Sequence, residues 1–216
     1  MMKPYKCVIF DCDGVLVDSE ILGNQVMVDM ANEHGADINL TFAMENFKGG
    51  FLKDCVLQIE SIIGKKLPKN FEAKCRKRSF EVFKKELKPV KGIKNVLKEL
   101  DISFCTASSG PQEKIRLNLT TTGLLPYFKE SIFSCYDIQK WKPDPAIFLH
   151  AASTMGYAPE ECLVVEDTIT GVRAARSGGF DVFGFAAHDF KENFQNQATK
   201  TFYAMDQLLP MISGNW

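Results

Sequence analysis

Four apolar residues, Cys7-Val8-Ile9-Phe10, run straight into Asp11-Cys12-Asp13-Gly14. A run this short, continuous and β-prone predicts a strand buried on both faces, as strands of parallel sheets are. Asp11 then falls at the strand's carboxyl end, where open α/β sheets bind their ligands. Gly14 permits a sharp turn directly after Asp13. Two carboxylates so close repel each other unless a cation lies between them or one keeps its proton. An isolated Asp-x-Asp-Gly is more often an acidic helix-capping turn or a calcium loop. Here no further acidic residues follow at calcium-loop spacing, and a buried strand precedes, so the pair is a candidate site.

The rest of the chain says what kind of sheet that strand joins. From Leu22 to about residue 88 the apolar residues recur at helical spacing: Leu22, Val26 and Met30, then Leu40, Met44 and Phe47. Leu52, Val56, Ile59 and Ile63 follow, then Phe80, Phe83 and Leu87. No strand pattern interrupts them, so residues 20–88 are expected to form a four-helix bundle, each apolar face buried against the others. From Lys91 onward helices and short apolar strands alternate. Strands are expected at 102–105, 132–133, 162–165, 182–185 and 201–204, and Asp144-Pro145 is expected to cap and start a helix. Alternation of this kind implies right-handed crossovers and a parallel sheet. The predicted fold is therefore α/β, a Rossmann-like parallel-sheet core of residues 1–19 and 89–216. A four-helix cap, residues 20–88, is inserted after the first strand, over its carboxyl end.

The net charge of −1 over 216 residues provides no electrostatic drive toward nucleic acid or an anionic membrane. No apolar run approaches a membrane span, and Met1 to Lys6 lacks the long apolar region of a secretory leader. The seven cysteines are scattered and form no Cys-x-x-Cys pair, so buried free thiols in a reducing cytoplasm are expected. Cys12, between the two aspartates, is expected to be packed, in a place where oxidation would disturb the site.

Strand ends bring further chemistry beside Asp11 and Asp13. Thr106, with Ser108 and Ser109, follows the second strand; Trp141-Lys142-Pro143 follows the third; Glu166-Asp167 follows Cys162-Leu163-Val164-Val165. Alone, Thr106 would be a strand-end hydroxyl satisfied by backbone, Ser108 and Ser109 helix caps, and Lys142 a solvated lysine with Lys140 as its rival. Together, several carboxylates, a lysine and a hydroxyl at one sheet edge suit a magnesium ion and a phosphoryl group. His34, His150 and His188 match no motif.

The stretch Asp11 to Ser19, with Thr106, Lys142 and Glu166-Asp167, resembles the four ordered motifs of the haloacid dehalogenase superfamily. The subgroup resembled is that of the β-phosphoglucomutase-like phosphatases. Phe47-Lys48-Gly49-Gly50, Ser109-Gly110-Pro111 and Tyr136 to Pro145 are similar to bacterial 6-phosphogluconate phosphatases. The resemblance implies that Asp11 is the nucleophile forming an aspartyl-phosphate, and Asp13 the general acid and then base. Thr106 and Lys142 would hold the transferring phosphoryl group. Mg²⁺ would be held by the Asp11 carboxylate, the Asp13 carbonyl and Asp167, with Glu166 nearby or bound through water. Lys142 is preferred to Lys140 because it precedes Pro143 as the family's lysine does. Ser108, Lys48, Gly49 and Gly50 are the expected substrate contacts, Lys48 pairing with the carboxylate of a sugar acid.

The implied activity is Mg²⁺-dependent hydrolysis of a small phosphorylated metabolite by a monomer or weak dimer. A phosphosugar mutase is an alternative, but Gly23 stands where such mutases carry a hinge histidine. A dehalogenase needs no leaving-group acid, and a non-turnover binding module would be better served without a base, so Asp13 argues against both.

Overall fold

In a computed structural model of the chain the described residues are 5–47, 50, 52–187, 194 and 197–214. The chain divides into two compact units, Met1–Val17 with Lys88–Trp216, and Asp18–Leu87.

The helical unit contains α1 (Glu20–Asn32), α2 (Leu40–Asn46), α3 (Leu52–Ile63) and α4 (Phe71–Glu86). Asn39 caps α2, its side chain accepting from the Phe42 N–H. Val26, Met30 and Ala31 of α1 share one apolar cluster with Ala43, Ile59, Phe71 and Cys75.

The larger unit is built on a sheet whose strands, all parallel, are β1 (Cys7–Phe10), β2 (Ser103–Ser108), β3 (Ile132–Ser134), β4 (Cys162–Glu166), β5 (Asp181–Phe185) and β6 (Lys200–Phe202). Between them run α5 (Ile93–Glu99), α6 (Gln112–Thr121), α7 (Leu125–Phe128), α8 (Cys135–Ile138), α9 (Ala146–Met155) and α10 (Ile169–Ser177); α11 (Leu208–Ile212) closes the unit. The spatial order β3-β2-β1-β4-β5-β6 makes β1 an interior strand, with the order reversing beside it. This is the Rossmann-like α/β arrangement, and its switch point falls at the end of β1.

Burial on both faces explains the continuous apolar run of β1. Cys7 and Ile9 lie in one cluster with Ile147, Phe148 and Ala151 of α9 and Val172 and Ala175 of α10. Phe10 meets Phe104 edge-on, and Phe104 meets Phe128 of α7. All seven cysteines are buried and unbridged.

Several elements depart from the sequence expectation. β2 runs on through Thr106, Ala107 and Ser108, because these residues pair with Ile132, Phe133 and Ser134 of β3. Thr106 is therefore inside the strand, not after it. Ser108 and Ser109 do not cap α6, whose N-cap is Pro111. Instead Ser108 Oγ accepts from the Gly110 N–H at 3.1 Å. The N-cap of α9 is Pro145, one residue later than expected, although Asp144 Oδ1 still accepts from the Ala146 N–H at 2.9 Å. β6 ends at Phe202, because Gln207 Oε1 takes the Tyr203 and Ala204 N–H groups and turns the chain.

Candidate active site

Asp11 follows β1 directly, and its N–H still donates to the Val165 carbonyl of β4 at 2.9 Å. The chain then folds back tightly. Gly14 N donates to Val17 O, Leu16 N and Val17 N both donate to Cys12 O, and Val90 N donates to Leu16 O. Gly14 has a φ of +78°, and a Cβ there would overlap the Asp167 carboxylate. Its lack of a side chain thus serves both the turn and the approach of Asp167 to the β1 loop.

Lys142 reaches this point from the α8–α9 loop. It is 4% exposed, and its ammonium donates to Asp11 Oδ1 at 2.5 Å, to Glu166 Oε1 at 2.7 Å and to the Ala107 carbonyl at 3.2 Å. Its three donors are thus fully used. Burial alone would lower the Lys142 pKa, but the Asp11 and Glu166 carboxylates outweigh it and hold the ammonium charged, above its usual range. Lys140, the rival in the sequence, lies on the surface 3.6 Å from Asp144.

Glu166 is 1% exposed. Its second oxygen accepts from the Thr168 N–H at 2.8 Å and from Thr168 Oγ1 at 2.9 Å. Thr168 also caps α10, accepting from the Gly171 N–H. A Cβ on Gly171 would overlap the Glu166 carboxylate.

Asp11, Glu166 and Asp167 are all buried, and the Lys142 ammonium pairs with the first two. Burial raises the Asp11 pKa most; Lys142 pulls it back, while Glu166 and Asp167 push it up further. The donors are hard oxygens, which suit magnesium. No group of three His, Cys, Asp or Glu side chains among the described residues is disposed to hold a metal ion alone. A cation here needs main-chain or substrate oxygens as well, and the Asp13 carbonyl is in the loop that Asp167 packs against. Thr106 Oγ1 is buried with no hydrogen-bond partner among the described residues, an unfilled donor of the kind an oxyanion would take.

Asp13 is held differently. Lys114 Nζ donates to its Oδ2 at 2.7 Å and Asn118 Nδ2 to its Oδ1 at 3.2 Å, both from α6. Sequence reasoning passed over both residues, although their four-residue spacing on a helix beside the Ser108–Pro111 loop was a visible signal. It passed over Gly171 as well.

Cys12 is packed, with no exposed surface. Burial drives its thiol well above the ordinary range, and the Asp13 and Asp11 carboxylates add to that. A thiol kept protonated and out of solvent is inert, so the expected sensitivity to oxidation has no basis in this geometry. Gly50 N donates to the Phe47 carbonyl at 3.0 Å. Lys48 and Gly49 lie outside the described residues, as does His188.

The family description "haloacid dehalogenase-like hydrolase" fits the chain over residues 5–179. The chain is 33% identical over 208 residues to the 6-phosphogluconate phosphatase of Escherichia coli K12, covering 96% of this chain and 94% of that protein. A haloacid dehalogenase-like protein of unknown function from Agrobacterium tumefaciens superposes with a TM-score of 0.89 at 32% identity, over 98% of this chain and 99% of that one. A putative β-phosphoglucomutase from Thermotoga maritima superposes with a TM-score of 0.78 at 25% identity, over 96% and 99%. The motif order, the buried lysine between two carboxylates and these likenesses agree, and the chain belongs to the haloacid dehalogenase-like hydrolase family.

Proposed function

We propose that the protein is a Mg²⁺-dependent phosphatase of a small phosphorylated metabolite, a sugar phosphate or sugar-acid phosphate, with 6-phosphogluconate as the leading candidate. The observation that carries this is the Lys142 ammonium bridging Asp11 and Glu166 at the carboxyl end of β1. It leaves a buried carboxylate facing the switch point of the sheet with a fixed positive charge beside it. The substrate class rests on the 6-phosphogluconate phosphatase relative.

In this reading Asp11 attacks phosphorus through a carboxylate oxygen, the bond to the ester oxygen breaks, and Asp13 gives its proton to the departing alkoxide. Asp13 then takes a proton from the water that attacks the aspartyl-phosphate, releasing inorganic phosphate and restoring Asp11. Lys142 and the Thr106 hydroxyl offset the charge on the phosphoryl oxygens. The Asp11 carboxylate, the Asp13 carbonyl and Asp167 would hold Mg²⁺. When bound, that ion supplies charge neutralisation between the nucleophile and the phosphate. Both Glu166 oxygens are already engaged by Lys142 and Thr168, which supports a role through Lys142 or a bridging water. The helical unit is proposed to select the substrate, and Ser108, Lys48, Gly49 and Gly50 are the proposed substrate contacts. No helix among the described residues is long and apolar enough to cross a membrane. The seven unbridged cysteines support a reducing, cytoplasmic setting. We expect a monomer or weak dimer.

The test is a panel of phosphorylated sugars, sugar acids and nucleotides with Mg²⁺, run on the wild type and on Asp11→Asn. The wild type should release phosphate from sugar or sugar-acid phosphates, and the folded variant should not. Steady-state turnover by pure Asp11→Asn would overturn the assignment.

A further inference from the structure

Both carboxylate oxygens of Asp13 are taken by one face of one helix. Lys114 and Asn118 sit four residues apart on α6, so their side chains project to the same side. Lys114 Nζ is 2.7 Å from Asp13 Oδ2 and Asn118 Nδ2 is 3.2 Å from Asp13 Oδ1. The Lys114 and Asp13 side chains are 25% and 19% exposed, and Asn118 is fully buried. An exposed ion pair of this length would contribute little. This one is mostly shielded and is joined by a neutral donor on the second oxygen, which fixes the plane of the carboxylate as well as its place.

The helix that carries the pair is itself anchored at its first turn. Gln112 Nε2 donates to the Ile132 carbonyl at 3.0 Å and to Asp137 Oδ2 at 2.8 Å. Ser134 Oγ donates to the Gly110 carbonyl at 2.7 Å, and the Gly110 N–H donates to Ser108 Oγ. The start of α6 is thus tied to the ends of β2 and β3, the same sheet edge from which Asp11 projects. An ammonium on a flexible stem would hold Asp13 loosely; an ammonium on a helix pinned to the sheet holds it in register with the nucleophile.

We infer that Lys114 and Asn118 are positioning residues for Asp13, holding its carboxyl group where it exchanges protons with the leaving oxygen and the attacking water. This rests on the phosphatase reading above. Neither residue is asked to touch the substrate. Their removal should therefore lower kcat and leave KM in place, and the loss should be larger for an ester whose leaving group needs a proton.

The experiment is a double-mutant cycle between Lys114→Met and Asp13→Asn, with Lys114→Arg as the conservative variant. Each is assayed on the best sugar phosphate and on p-nitrophenyl phosphate, with melting curves to confirm the fold. Lys114→Met should lower kcat on the sugar phosphate by about 10²-fold, the scale of a roughly 1 Å misplacement. It should cost less on p-nitrophenyl phosphate, leave KM unchanged, and be partly rescued by arginine. In the Asp13→Asn background it should cost nothing further. Additive losses in the cycle, or a rise in KM at constant kcat, would overturn the positioning role while leaving the phosphatase reading intact. A wild type that hydrolyses no phosphate ester overturns both. Should Asn118→Ala melt early, Asn118→Asp keeps the volume, and its repulsion of Asp13 should still lower kcat in a folded protein.

Discussion

The Glu166 carboxylate lies against the Cα of Gly171 with no room for a methyl group between them. Gly171 is inside α10, where alanine ordinarily stabilises a helix by about 1 kcal/mol relative to glycine. Here the sign should reverse. Gly171→Ala must displace Glu166, and with it Lys142, so both the melting temperature and kcat should fall, kcat by about 10²-fold. Calorimetry and steady-state assays of the variant check this; a stabilised, fully active Gly171→Ala would show that Glu166 does not hold the site in place.

Lys142 should matter to stability as well as to turnover. Lys142→Met leaves Asp11 and Glu166 buried without their counter-charge, a change that typically costs about 3–5 kcal/mol. Adding Asp11→Asn removes one of the stranded charges and should recover part of that loss without recovering activity. Urea unfolding of the wild type, the single variant and the double variant measures it, and equal stability of all three would contradict the charge balance described for the cluster.

Chelation should silence the enzyme, and Mg²⁺ should raise its melting temperature as the ion binds the folded state alone. Asp167→Ala should weaken both responses, because its buried carboxylate lies against the loop that carries Asp11 and Asp13. Full turnover in EDTA, together with a melting curve indifferent to Mg²⁺, would remove the ion from the mechanism.

The thiols give a pH prediction. The Cys55 thiol is pushed up to about 12 by burial, then by Asp54. Cys12, Cys75 and Cys135 are also raised, chiefly by burial. A pKa raised on folding means the folded state keeps a proton that the unfolded chain releases. The stability these thiols contribute is full below their ordinary value of 9.0 and is lost as pH rises above it. The melting temperature should fall above about pH 9, less steeply in Cys55→Ala. At neutral pH the native protein should resist alkylation by iodoacetamide, Cys12 included.

Substrate charge is testable through Lys48. The proposal that Lys48 pairs with a sugar acid's carboxylate makes a selective prediction. Lys48→Ala should lower kcat/KM for 6-phosphogluconate by about 1.5–3 kcal/mol, the range for a charge-assisted contact, and spare glucose 6-phosphate. Equal effects on the two substrates would mean that Lys48 does not read the carboxylate.

Much of this arrangement was legible in the chain because local pattern and tertiary demand coincide. β1 is buried on both faces, so its apolar run is continuous and its end is marked by Asp11. No strand lies among the described residues of the helical unit, so its apolar periodicity is uninterrupted. Thr106, Ala107 and Ser108 were misplaced because their strand character comes from pairing with β3, not from their own side chains. Lys114 and Asn118 look like ordinary helix-surface residues until the fold brings α6 against a loop about a hundred residues earlier. Gly14 and Gly171 carry no chemistry of their own; what matters is the carboxylate that each makes room for, and no local pattern announces that.

The sheet order has a consequence for biosynthesis. Asp11 precedes in the chain both strands that flank β1, β2 and β4, and the groups that act on it come from Lys142, Glu166 and Asp167. A nascent chain that has not yet exposed β4 holds Asp11 with neither Glu166 nor Asp167 to complete its surroundings. Released fragments ending before Glu166 should therefore be inert.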